Sequence, residues 1–301
     1  MVGKVKENTI LGESAMRYVV AKDSRDAVAL LKGSDNARLL AGGTDVLVQM
    51  KLGLKTPDLL IDIKSIDGFS DISSEKNGFR IGAAVSGAQM GEHADLKAMW
   101  PGVVEAVELI GSTQVQGRAT MVGNLCNGSP AGDAVPAMMT AGAMARIEGA
   151  EGSRDILVAD LLESPGKTKL GKAELISSIF LPVRTQHASD AYLRFIPRTE
   201  MDIAVASAGV SLELDENGNI EIASVALGAV APTAVFVPSA AEALIGTKLD
   251  EQALAACAVA CEAACNPIDD KRGTVEFRTK VAGVMATRAA KIAYSRAGGL
   301  L

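Results

Sequence analysis

Two short turns far apart in the chain, Ala41-Gly42-Gly43-Thr44-Asp45 and Thr120-Met121-Val122-Gly123-Asn124, carry the residue types that bind phosphate. Each follows a β-branched or leucine-rich run that reads as a strand. In each, the side chains around the glycines are small enough for an anion to approach consecutive backbone N–H groups. Together they read as two walls of one pyrophosphate site. The second turn runs on into an Asn/Gly/Ser/Pro/Asp-rich stretch, 125–136, too irregular for a strand, and then into a helical run over 137–145. Asp133 is placed to cap that helix beside the turn.

Other candidate chemistry is weaker. Cys257, Cys261 and Cys265 are spaced by four, which on a helix would stack three thiols on one face. Cluster and zinc sites usually take four ligands from loops, so small buried hydrophobes in an alanine-rich helix are the expectation. With Cys126 as the fourth cysteine there is no spread-out disulfide framework, which favours a reducing compartment. His93 and His187 sit apart in polar contexts and read as exposed or locally bonded. The chain contains no Gly-x-Gly for a dinucleotide fingerprint, and Gly166-Lys167-Thr168 lacks the upstream glycine of a phosphate-binding P-loop, leaving a surface turn.

Composition bounds the partners. The chain has 301 residues, 48% hydrophobic and 22% charged, enough for a large core and two or three subdomains of a soluble globular protein. A net charge of -6 and 3% aromatic residues argue against a nucleic-acid surface. Lys4, Lys6, Glu7 and Asn8 stand where an export signal needs an apolar core, so a cytoplasmic protein is expected. The most apolar stretch, 222–237, is interrupted by Ser224, Gly228, Pro232 and Thr233 and falls short of the roughly 20 residues of a membrane span. It reads as buried strands with a turn.

The elements that must position the two turns follow from periodicity. A strand over 17–20, a helix over 24–31 capped by Ser24 and closed by Gly33, a strand over 37–41, a short helix over 46–51 and a strand over 59–63 make a β-α-β unit. Between 68 and 182, strands over 79–83, 143–148 and 174–181 accompany helices over 87–98 and 103–110. Beyond 184, strands over 204–214 and 220–230 flank the turn Asp215-Glu216-Asn217-Gly218-Asn219, whose Asn-Gly step suits a hairpin. Helices near 239–244, 251–265 and 275–296 close the chain. No internal repeat is visible.

Several of these residues recur in the order of a known family. Ala41-Gly42-Gly43-Thr44-Asp45, Ile81-Gly82-Ala83, residues 119–124, Ser129 to Asp133, Pro182, Arg198 with Asp202, and Glu276-Phe277-Arg278 resemble the FAD-binding medium subunit of the xanthine dehydrogenase and carbon monoxide dehydrogenase family of molybdenum hydroxylases. The likeness runs through nearly the whole chain. It implies an α+β fold: a two-part FAD-binding domain of the p-cresol methylhydroxylase-like type, with an N-terminal βαβ subdomain over 1–63 and a central α+β subdomain over 64–182. A C-terminal α+β domain over 183–301, with an antiparallel sheet and helices, would follow.

The resemblance also implies site residues. Leu39, Leu40, Ala41, Gly42, Gly43, Thr44, Asp45 and Val46 would wrap one side of the FAD pyrophosphate, and Thr120, Met121, Val122, Gly123 and Asn124 the other. Asp133 matches a position that hydrogen-bonds the nucleotide portion, compatibly with a capping role. Ile110 and Ile176 match positions that contact the cofactor by backbone and apolar surface, and core packing is the competing reading of both. Arg194 stands where the family usually has a lysine near the flavin. It would keep the cation on a planar fork, or be a solvated strand-end residue. Tyr192 would stack on the isoalloxazine or be an ordinary hairpin residue.

Two departures concern the second turn: Val122 replaces a frequent glycine, and Gln116-Gly117 replaces an Arg-Asn pair, leaving Arg118 as the nearest cation. A cysteine-bearing insertion of some relatives is missing, so FAD alone is expected in this chain, with no metal. The implied function is electron transfer: the chain would take electrons from the [2Fe-2S] clusters of a small subunit, served by a large molybdopterin-binding subunit, and pass them through FAD to an external acceptor. A dimer of heterotrimers is the implied assembly. The alternatives are a stand-alone flavin-dependent oxidoreductase of the same superfamily, which should carry its own acid, base or flavin-linking His, and a flavin-free scaffold with an interface on its C-terminal helices.

Overall fold

The computed structural model describes residues 16–300. At the N-terminal end, β1 (Arg17–Val20), α1 (Ser24–Lys32), β2 (Ala37–Leu40), α2 (Val46–Lys51) and β3 (Leu59–Asp62) form a parallel sheet in the order β1-β3-β2. The central strand β3, Leu-Leu-Ile-Asp, is buried along its length, as a parallel strand covered on both faces must be. The cap of α1 is Asp23 and not Ser24: the Asp23 carboxylate accepts from the Asp26 N–H, a stronger use of that position than a hydroxyl one residue later.

The middle of the chain builds a five-stranded antiparallel sheet in the order β4-β5-β10-β6-β7 from β4 (Ile72–Glu75), β5 (Gly78–Gly82), β6 (Met144–Gly149), β7 (Gly152–Leu157) and β10 (Leu175–Pro182). Helices α3 (Gly87–Glu92), α4 (Ala94–Met99), α5 (Pro101–Glu108), α6 (Thr113–Gln116), α7 (Met121–Cys126) and α8 (Ala134–Thr140) lie between β5 and β6. The helix expected over 87–98 is broken at His93, whose Nδ1 accepts from the Leu96 N–H and so caps α4. The helical run expected over 137–145 instead begins at Ala134 and stops at Thr140. Gly142 at φ 61° lets its own N–H and that of Ala143 return to the Met139 and Met138 carbonyls. The surface turn at 166–168 belongs to a small hairpin, β8 (Leu162–Ser164) and β9 (Lys167–Thr168), preceded by α9 (Val158–Leu161) and tied down by the Gly166 N–H to the Gly128 carbonyl.

The C-terminal unit is an antiparallel sheet in the order β11-β12-β13-β14, from β11 (Ala188–Phe195), β12 (Ala206–Leu214), β13 (Ile220–Gly228) and β14 (Val235–Phe236), covered by α10 (Pro238–Leu244), α11 (Glu251–Ala263) and α12 (Val275–Arg296). The expected hairpin turn forms around Asp215, which accepts from the Asn217 and Asn219 N–H groups, with Gly218 at φ 80°. Cys257 and Cys261 pack into the core between α11 and α12, and the Cys265 thiol donates to the Cys261 carbonyl. No helix among the described residues is long and apolar enough to cross a membrane, and no group of metal-ligating side chains is found among them.

Two cores result, one shared by the first two sheets and one beneath the C-terminal sheet. A buried joint welds them. Asp190 on β11 accepts from the Val103 N–H at the start of α5 and from Arg184, whose guanidinium stacks 4.0 Å from the Trp100 ring. Burial raises the Asp190 carboxyl to about 6, against the pull of Arg184 and the α5 amides. Gly102 admits this contact, since a Cβ there would lie 2.6 Å from the Asp190 carboxylate.

Candidate functional site

The two glycine turns meet. A Cβ on Gly42 would lie 1.8 Å from the Arg118 carbonyl oxygen, so only glycine lets the first turn press against the backbone leading into the second. Gly43 adopts φ 79°, a left-handed conformation that L side chains enter at a cost of about 1–2 kcal/mol. The consequence is a row of free donors: the N–H groups of Gly42, Gly43, Thr44 and Asp45 reach no acceptor among the described residues.

The second turn is built differently from its sequence expectation. It follows α6 and not a strand, and from Met121 it is the first turn of α7. Thr120 is the cap: its Oγ1 accepts from the Gly123 N–H at 2.9 Å. An antiparallel bridge between Ser86 and Thr120 turns the Met121 N–H toward the protein, whereas the N–H groups of Thr120 and Val122 reach no acceptor among the described residues. Asn124 then bonds forward, its Oδ1 accepting from the Ala134 N–H at the start of α8.

Between the turns lies a cavity of about 520 Å³, within the size range of small-molecule and cofactor sites. Of the residues singled out in the sequence, Leu39, Ala41, Gly42, Gly43, Thr44, Asp45, Val46, Ile110, Thr120, Val122, Gly123, Asn124 and Ile176 line it. Asp45 reaches solvent, yet the protein crowded round its carboxyl raises its pKa. Leu40 and Met121 do not line the cavity: β-strand alternation turns Leu40 to the opposite face from Leu39, and Met121 is sunk in the core.

Asp133, Tyr192 and Arg194 are brought together, but away from that wall. The Tyr192 hydroxyl donates to Asp133 Oδ1 at 2.8 Å, and Arg194 Nη1 donates to Oδ2 at 2.7 Å. Asp133 occupies the position before α8 with helical φ and ψ and makes no capping bond, because both of its oxygens are spent on β11. Burial raises its carboxyl to about 6, opposed by Arg194 and Tyr192. Tyr192 is fully buried, neither a free stacking ring nor a surface hairpin residue, and Arg194 is not a solvated strand end. Arg194 Nε is buried and has no partner among the described residues.

The structure adds residues that sequence reasoning passed over. Arg38, Gln49, Lys55, Cys126, Asn127, Gly166, Lys172 and Glu174 also line the cavity. Gln49 Nε2 donates to Asn127 Oδ1 at 3.0 Å, tying α2 to the end of α7, and Lys172 pairs with the exposed Asp35. Arg38 and Gln49 lay next to the first turn and were open to discovery by strand and helix periodicity. The segment 166–174 was read only as a surface turn at Gly166-Lys167-Thr168 and the start of a strand at Glu174, with no sign that it reaches the cavity.

The cavity therefore offers two facing sets of backbone donors with the cations Arg38, Lys55 and Lys172 on its wall, which suits a dinucleotide pyrophosphate. A family model described as the FAD binding domain in molybdopterin dehydrogenase matches residues 14–184, and one described as the CO dehydrogenase flavoprotein C-terminal domain matches residues 191–293. This chain belongs to the FAD-binding medium subunits of the carbon monoxide and xanthine dehydrogenase family. It is 35% identical over 281 residues to the carbon monoxide dehydrogenase medium chain of Afipia carboxidovorans, covering 93% of this chain and 97% of that one. It is 29% identical to the xanthine dehydrogenase FAD-binding subunit of Escherichia coli O157:H7, over 94% and 98% of the two chains. Among solved structures it resembles the carbon monoxide dehydrogenase from Hydrogenophaga pseudoflava that lacks the Mo-pyranopterin moiety of its cofactor. There the TM-score is 0.90 at 32% identity, over 93% and 98% of the chains. The medium subunit is thus an FAD-binding component of an oxidoreductase of the molybdenum hydroxylase family, with the two-part flavin fold that its residues imply.

Proposed function

We propose that this medium subunit takes electrons from the [2Fe-2S] clusters of a small partner subunit and hands them to an external acceptor, while a large molybdopterin-binding subunit oxidises the substrate. The observation that carries the reading is the pair of facing turns, six of whose N–H groups, those of Gly42, Gly43, Thr44, Asp45, Thr120 and Val122, have no acceptor among the described residues. Bound FAD would supply the chemistry, since a flavin accepts electrons singly and releases them singly or in pairs. The chain's part is binding and orientation. Gly42, Gly43, Thr44 and Asp45 on one side and Thr120 and Val122 on the other would donate to the pyrophosphate, with the Thr44 hydroxyl beside them. Leu39, Ile110 and Ile176 would cover apolar ring surface.

Asp133, Tyr192 and Arg194 enter this reading as a buried support that holds α8, and through Asn124 the second turn, in place. The units at 1–63, 64–182 and 183–301 are the division we assign, supported by the change of sheet between β3 and β4 and between β10 and β11. A cytoplasmic dimer of heterotrimers is the assembly we assign. A self-sufficient flavoenzyme is less favoured, because the described cavity wall carries no histidine and its Glu174 is engaged by Arg154.

The test uses purified chain and reconstituted complex. The chain should carry FAD noncovalently, oxidise no organic substrate alone, and be reoxidised by an acceptor after chemical reduction. Gly43→Val and Gly123→Val should remove the flavin, and in the complex Gly123→Val should stop substrate-dependent bleaching while cluster reduction persists. Turnover of a substrate by the isolated chain would replace the subunit reading with the stand-alone enzyme.

A further inference from the structure

α2 is an unusual helix. It has six residues and buries none of them, although a helix this short draws its stability from packing an apolar face. Leu47, Val48, Leu52 and Leu54, on α2 and the turn after it, are between 46% and 68% exposed. The strip is nonetheless held firmly. The Gln49 carbonyl accepts from the N–H groups of both Leu54 and Lys55, folding the turn back on the helix, and the Gln49 side chain bonds Asn127 on the cavity wall. Lys51 and Lys55 flank the aliphatic residues, and neither has an ion-pair partner among the described residues, in a chain whose net charge is -6.

A second exposed apolar group, Met201, Ile203 and Ile268, differs in this respect. Most charges beside it pair among themselves, Arg198 and Arg272 with Asp202, and Arg272 and Arg278 with Asp270, and Glu200 and Lys271, which have no ion-pair partner among the described residues, are of opposite sign, so it presents a partner no single sign of charge. It also lies outside the cavity wall, whereas Val46, Gln49 and Lys55 of the α2 strip form part of that wall.

We propose that Leu47, Val48, Leu52 and Leu54 with Lys51 and Lys55 form the docking surface for the iron–sulfur subunit, whose matching face is aliphatic with a rim of carboxylates. The proposal rests on the electron-transfer reading above. A subunit seated there stands about one helix diameter, roughly 10 Å, from the cavity. Unpaired lysines would steer it and set its orientation, and the aliphatic strip would hold it.

The experiment measures the affinity of the full-length chain for its purified iron–sulfur subunit at low and high salt, with flavin content and sedimentation followed in parallel. Leu52→Asp with Leu54→Asp should weaken association at least about tenfold. Lys51→Glu should weaken it at low salt and flatten its salt dependence, whereas Lys51→Arg should preserve both. None of these positions lines the cavity, so flavin content should stay at the wild-type level. Unchanged affinity in the leucine pair and in Lys51→Glu overturns the proposal, as does an effect confined to self-association of this chain or to binding of the molybdenum subunit. A wild-type chain without flavin would instead overturn the function reading, whatever the partner affinity.

Discussion

The cavity wall and the Asp133 cluster lie on successive segments of one chain, joined by Asn124, yet they use polar groups in opposite ways. Around the cavity the backbone donors are left free, and two glycines keep side chains from filling the space. Around Asp133 every carboxylate lone pair that faces the protein is engaged, and the charges are sealed from water. The first arrangement leaves its donors to whatever fills the cavity, water or a ligand with acceptors, which is what a binding site requires. The second is costly only if broken, because an ion pair in the interior gains little over apolar packing but leaves a bare charge when one member is lost. On the function proposed above, the perturbed carboxyl serves the fold and the unsatisfied main chain serves the cofactor.

Three substitutions sharpen that contrast. Asp133→Asn should have the largest effect on stability, about 3–5 kcal/mol in urea denaturation, because Arg194 keeps its charge in the interior without a counter-ion. Adding Arg194→Met should recover much of the loss. If Asp133→Asn instead left stability intact and only weakened flavin binding, the two regions would have one role and the contrast would fail. The pH dependence checks the same point. The folded state holds the Asp133 proton to about pH 6, whereas the unfolded carboxyl releases it near pH 4, so the folded state binds more protons in between and stability should fall as pH rises through that window. Asp190 shifts in the same direction, so the double variant should reduce the slope without abolishing it.

Gly42→Ala comes next. Its Cβ would fall on the Arg118 carbonyl, which forces the two turns apart at about 1–3 kcal/mol, and flavin content should drop far more than the melting temperature suggests. Retention of full flavin occupancy would mean that the turns need not touch to form the site. The smallest effect should come from Thr120→Ala, about 1 kcal/mol through loss of the α7 cap, with a modest weakening of flavin binding seen in a fluorescence titration.

Most of the large elements were legible in the sequence because each is encoded locally: α12 over 275–296 and the parallel strands of the first sheet by periodicity, the Asp215 turn by its Asn-Gly step. The misreadings have local causes too. His93 looked like an interior residue of one helix because a histidine cap has the same neighbours in sequence as a helical residue, and β11 was not singled out because its small and polar residues are buried by α5 and α12, which pack on it from elsewhere in the chain.

What the sequence by itself determined was the pair of glycine turns, their order and the family they belong to, since glycine at those points is a statement about backbone space that needs no context. The tertiary structure alone decided which donors remained free, that Asp133 belongs to Tyr192 and Arg194, and that Lys55, Lys172 and Glu174 share a wall with Gly43. Those facts depend on which segments meet across the fold, and the chain's local chemistry does not encode a meeting between segments as far apart as Asp133 and Tyr192, 59 positions, or Gly43 and Lys172.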